Sequence, residues 1–89
     1  MQLIQFRRNW YSLVFTDHAL ARMKTRAVSI EEVVEVVETG SVKQKEADHK
    51  FWVYKHFEHR EDNLISVSLA IEGENLVVIT VLVNWKVQS

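Results

Sequence analysis

The stretch Thr16-Asp17-His18-Ala19-Leu20-Ala21-Arg22, followed by Arg26, places an imidazole and two guanidinium groups at four-residue intervals. On a helix, positions i and i+4 lie one above the other, so His18, Arg22 and Arg26 form a single stripe. A proton carrier beside two guanidinium forks suits metal-independent cleavage of RNA. The imidazole moves the proton of a ribose 2′ hydroxyl, and the guanidinium groups hold the charge that builds on the phosphorane. The same stripe also fits a plainer role, in which arginines border an apolar helix face with packed stems and solvated heads.

Other candidates lie further along. In Tyr54-Lys55-His56-Phe57-Glu58-His59-Arg60, strand alternation sends Tyr54 and His56 to one face and Lys55 to the other. On an open face Tyr54 and His56 would stack on or hydrogen-bond a nucleotide. His56 and His59 with His49 or Glu58 match no usual zinc-ligand spacing, and no metal is expected. Ser66, Ser68 and Thr80 are expected on the open side of a sheet. They form either its solvated surface or a shallow trough where Thr80 meets a phosphate. There is no Gly-x-Ser-x-Gly elbow and no phosphate-cradling glycine loop, so neither a serine hydrolase nor a nucleotide cofactor is suggested.

These side chains need elements to position them. Thr16 caps a helix running to about Arg26, with Asp17 complementing its dipole and Ala19, Leu20, Met23 and Ala27 as the buried arc. Ser29 and Glu32 form a capping box for a second helix over about residues 30–39, with Ile30, Val33, Val34 and Val37 inward and Glu31, Glu32, Glu35 and Glu38 outward. Gly40 is expected as its left-handed end. The short link between the helices predicts an αα-hairpin. Strands are expected over about Val42–Glu46, Phe51–Phe57, Leu64–Ile71 and Leu76–Trp85. Ile65, Val67, Leu69 and Ile71 alternate with small residues, as Val77, Ile79, Val81 and Val83 alternate with their neighbours. For those two apolar faces to coincide, the turn around Glu72 to Asn75 must hold an odd number of residues. The resulting fold is α+β, an N-terminal αα-hairpin packed on one face of an antiparallel meander sheet of about four strands, with Ile79 and Val81 in its core. Residues 1–12 read as an N-terminal extension or an edge strand.

Composition is consistent with this. The 89 residues, 47% hydrophobic and 26% charged, suit one globular domain over 1–89. No leader and no apolar run near the roughly 20 residues of a membrane span is seen, which predicts a cytoplasmic protein without a membrane partner. Cysteine is absent, so packing must stabilise the fold. A formal charge of -1 and a pI near 6.4 mean that RNA binding must rely on a local patch.

The run Thr16 to Arg22, then Arg26-x-Val-Ser, the Glu-Val helix ending at Gly40 and the closing Val77-Val78-Ile79-Thr80-Val81-Leu82-Val83 are similar to a bacterial family, number 4258 among the domains of unknown function. The resemblance covers about Val14 to Val83, with His-Ala-x-x-Arg its most specific part. It implies a distant likeness to RelE-like, barnase-like and colicin-like ribonuclease toxins. It also implies His18, Arg22, Arg26 and Thr80 as site positions, with Tyr54 at an aromatic position. Ala27 stands where that family commonly has glycine, and is expected to be accommodated as a helix end. The leading expectation is a metal-independent endoribonuclease-like domain, the toxin of a toxin-antitoxin pair, with RNA as substrate and an antitoxin-like protein as partner. The alternative is a non-enzymatic protein-binding module of the same fold, using a sheet edge or aromatics such as Trp10, Trp52 and Trp85.

Overall fold

The computed structural model describes residues 2–44, 49–58 and 64–84. Along the chain run β1 (Gln2–Phe6), β2 (Asn9–Phe15), α1 (Asp17–Arg26), α2 (Ile30–Thr39), β3 (Ser41–Gln44), β4 (Lys50–His56), β5 (Leu64–Glu72) and β6 (Asn75–Val83). The strands form one six-stranded sheet in the order β1-β2-β6-β5-β4-β3. All neighbours are antiparallel except β2 and β6, which pair in parallel through Ser12–Asn75 to Phe15–Val78. This overturns the expected four-stranded antiparallel meander with an N-terminal helical hairpin. The sheet is mixed, and a β-hairpin precedes the helices. Strands β3 to β6 pair in chain order, but β6 takes its second neighbour from the other end of the chain, which strand-by-strand reading does not reveal. The nearly unbroken apolar run of β6 signals cover on both faces of the sheet and does not say which strand pairs with it.

The sheet curls around α2, which lies against β1, β4 and β5. Phe6 of β1 meets Phe51 of β4 edge to face, with ring centroids 5.4 Å apart, although β2, β6 and β5 intervene in strand order. Val33, Val36 and Val37 of α2 fill the concave side against Ile4, Val53, Val67, Leu69, Val78 and Val81. The expected helix faces are therefore rotated. Leu20 and Ile30 are 45% and 44% exposed, whereas Val36 is fully buried. The α1 helix packs against β6 and adds Ala19 and Met23 to the core. No helix among the described residues is long and apolar enough to cross a membrane.

Face matching between β5 and β6 is achieved differently from the expectation. Glu72 pairs with Asn75, so the turn holds only Gly73 and Glu74, an even number. Gly73 takes φ 62°, as the first central residue of a type II′ turn does. The odd residue sits within β6. Ser68 pairs with Thr80 and Leu69 with Val78, leaving Ile79 as a β-bulge. Beyond the bulge the side-chain parity flips, so Leu76 and Val78 join Val81 on the core face and Ile79 is only half-buried.

The helices end where expected, but the backbone conformations of their C-terminal caps depart from expectation. Gly40 is extended, with φ -78° and ψ 175°. It is needed for space, since a Cβ there would lie 2.5 Å from the Val36 carbonyl oxygen and 2.6 Å from that of Tyr54. The left-handed position is Ala27, with φ 54°. The Ala27 N–H donates to the Lys24 carbonyl and the Val28 N–H to the Met23 carbonyl, the pattern of a Schellman motif that glycine suits best. Between β1 and β2, Arg7 and Arg8 both take positive φ, 51° and 72°, as a type I′ turn requires, and the Arg7 guanidinium lies 4.9 Å from the centroid of Phe51.

Two substitutions check this account in urea or thermal melts. Ala27→Gly should raise stability by about 1 kcal/mol, because an L-residue is strained in the left-handed region. Gly40→Ala should lower it by about 1–3 kcal/mol, because both obstructing atoms belong to the backbone. An Ala27→Gly variant less stable than the wild type would contradict the cap assignment.

Candidate functional site

The strongest local constellation is at the start of α1. Thr16 is extended, and its hydroxyl oxygen accepts the Ala19 N–H at 3.0 Å, capping the helix. The same hydroxyl donates to the carbonyl of Ile79 at 3.0 Å, and the Thr16 N–H donates to the Val78 carbonyl at 3.1 Å. A bulge leaves its extra residue outside the regular ladder. Here the Ile79 carbonyl finds its partner in the cap of α1, which ties the helix to β6 where β2 stops pairing.

This tether places the next turn. His18 is exposed, and its Nε2 lies 3.1 Å from Oγ1 of half-buried Thr80. Two sequence-predicted site residues, 62 positions apart, are thereby in direct contact. Either ring nitrogen can carry the proton. The tautomer that donates from Nε2 to Thr80 leaves the Nδ1 lone pair available to a substrate.

Arg22 is one turn further along α1, exposed, with no ion pair or hydrogen bond among the described residues. Arg26 is exposed in the last turn and has an interaction of its own. No glutamate among the described residues engages Arg22. Glu35 pairs instead with Lys55 at 3.0 Å, and the Lys55 ammonium also donates to Thr39 Oγ1 at 2.6 Å. Lys55 thus lies on the α2 side, opposite Tyr54 and His56, as alternation required.

The remaining candidates occupy the convex face. Thr80 is beside Ser68, and Ser66 is beside Tyr54 and Leu82. The expectation of open, solvated serines is corrected: Ser66 and Ser68 are buried, being short side chains flanked by larger ones, and both have interaction partners. Tyr54 is half-buried, and exposed His56 stands opposite Leu64 at the end of β4. His59, Arg60 and Trp85 lie outside the described residues. No three His, Asp or Glu side chains among the described residues are grouped closely enough to hold a metal ion.

Sequence reasoning missed two contributors. The bond from Thr16 to Ile79 could not be foreseen without the bulge. Trp52 was counted only among exposed aromatics, yet it is half-buried and stands beside Ser68, on the face that carries Thr80. Its two-residue offset from Tyr54 is the signal that assigns it there.

Every residue of this constellation, Thr16 to Thr80, falls within one family match, which runs over residues 15–83 and leaves out β1 and nearly all of β2. No curated protein and no solved structure matches the chain. With the match spanning most of its 89 residues, the chain belongs to the family described as "Domain of unknown function (DUF4258)".

Proposed function

We propose that this protein is a metal-independent endoribonuclease-like domain acting as the toxin of a toxin-antitoxin pair, in line with the resemblance to RelE-like, barnase-like and colicin-like ribonucleases. The observation that supports it most is the contact of His18 Nε2 with Thr80 Oγ1 at 3.1 Å, with Arg22, which has no ion pair among the described residues, one helical turn away. In this reading Thr80 orients the imidazole, and Nδ1 takes the proton of a ribose 2′ hydroxyl. The O2′–P bond forms as the P–O5′ bond breaks. The imidazolium returns the proton to O5′, giving a 2′,3′-cyclic phosphate and a 5′ hydroxyl without consuming water. Arg22 holds the non-bridging oxygens in a bidentate fork as charge builds, with Arg26 as a second cation further along the helix.

A different observation favours the second reading, a protein-binding module. On the convex face of the β1–β2 hairpin, Leu3 and Trp10 are 62% and 64% exposed, with Val14 exposed beside Val77. Such an apolar patch suits a protein partner. It lies on different strands from the His18 contact, so the two roles are separable.

The test is cleavage of RNA by the purified protein, read beside growth and RNA integrity on induction. His18→Ala should lower cleavage at least roughly 100-fold, the usual share of a proton-transfer residue, while changing stability by less than about 1 kcal/mol because the side chain is exposed. Arg22→Lys should also impair cleavage, since lysine keeps the charge but loses the fork. Undiminished cleavage by a folded His18→Ala protein would refute the mechanism. A wild type inert toward RNA would leave the binding module as the better reading.

A further inference from the structure

A row of side chains leads from His18 to an aromatic ring that the cleavage chemistry does not use. Thr80 pairs with Ser68, Ser68 with Trp52 and Trp52 with Lys43, so these residues stand side by side on the convex face across β6, β5, β4 and β3. Neighbouring strands lie about 4.8 Å apart, which puts Trp52 roughly 10 Å from Thr80. Between them Ser68 is short and buried, and so is Ser66 in the next row, between Leu82 and Tyr54. This strip of the face is thus uncharged and closed to solvent at Ser66 and Ser68, with His18 at one side and half-buried Trp52 and Tyr54 at the other. Half-buried Lys43 follows beyond Trp52. One nucleotide spans such a distance from its phosphate to its base.

We propose that Trp52 is the stacking platform for the base of the nucleotide whose phosphate lies at His18 and Arg22. The substrate is accordingly unpaired, single-stranded RNA, with Lys43 meeting the flanking backbone. This rests on the nuclease reading of the His18 site and adds its substrate class. A base within a duplex has both faces covered by its neighbours, so it cannot lie on Trp52 unless it is unstacked. Aromatic stacking also tolerates any base, and it lets a protein of formal charge -1 hold RNA with few cations.

The test uses a short single-stranded RNA carrying 2′-O-methyl groups, which cannot be cut, and measures binding by fluorescence anisotropy. Trp52→Ala should weaken binding about tenfold, and Trp52→Phe should restore most of the loss. An abasic residue at one position of the oligonucleotide should weaken binding to the wild type by a similar factor, with no further loss in Trp52→Ala. The same sequence as a duplex should bind more weakly. Equal binding by folded Trp52→Ala and wild type, or an abasic penalty unchanged by the substitution, would overturn the proposal. Should Trp52→Ala fail to fold, Trp52→Leu, which keeps apolar bulk without a π face, takes its place in the same comparison. Cleavage of unmodified RNA separates the two ideas. A wild type that binds with these dependences but does not cut removes the nuclease reading and keeps the platform, whereas one that cuts RNA without any dependence on Trp52 does the reverse.

Discussion

The arrangement of the site depends on one hydroxyl group. Thr16 accepts the N–H of Ala19 and donates to the carbonyl of Ile79, so a single side chain starts α1 and satisfies the bulged residue of β6. The bulge is itself a requirement of packing. With an even turn between β5 and β6, only an extra residue inside a strand brings Leu76, Val78 and Val81 to the same face as Val67 and Leu69. Core formation on the concave side thereby fixes the register that presents Thr80 on the convex side. The tether then sets His18 over it. Sheet register, helix start and the His18–Thr80 contact are linked through that bond.

Much of this was legible in the residues, for physical reasons that can be named. The capping box of Ser29 and Glu32 is a local signal satisfied within one turn, and both of its hydrogen bonds form, at 2.9 and 3.1 Å. The helix limits are those expected, because caps act on the few residues next to them. Strand alternation likewise assigned Tyr54 and Lys55 to opposite faces. The parity argument identified a real constraint but placed its solution in the turn, where the chain uses a bulge. Either device shifts the register by one residue, and sequence patterning alone does not choose between them.

What could not be read depends on distant pairing. The parallel contact of β2 with β6 joins segments separated by both helices and three strands, and no local spacing encodes it. The β1–β2 turn carries none of the Asn-Gly or Asp-Gly chemistry that marks a type I′ hairpin; Arg7 and Arg8 hold the left-handed positions instead. The left-handed helix end falls at Ala27, which closes a Schellman motif, and not at Gly40, which is extended and crowded by the Val36 and Tyr54 backbone. For the site, residue types pointed to His18, Arg22 and Thr80. The burial of Ser66 and Ser68 and the place of Trp52 emerge only once β4, β5 and β6 stand side by side.

The central claim is that the bulge-tethered start of α1 and the adjoining convex face form one RNA site. Titration of isotopically labelled protein with an uncleavable 2′-O-methyl oligonucleotide, followed residue by residue in amide and imidazole NMR spectra, tests it most directly. The account predicts shifts concentrated at Thr16, His18, Arg22, Ser68 and Thr80, with the glutamate face of α2 and the β1–β2 hairpin unchanged. Shifts confined to Leu3, Trp10 and Val14, or no shifts at all, would contradict it.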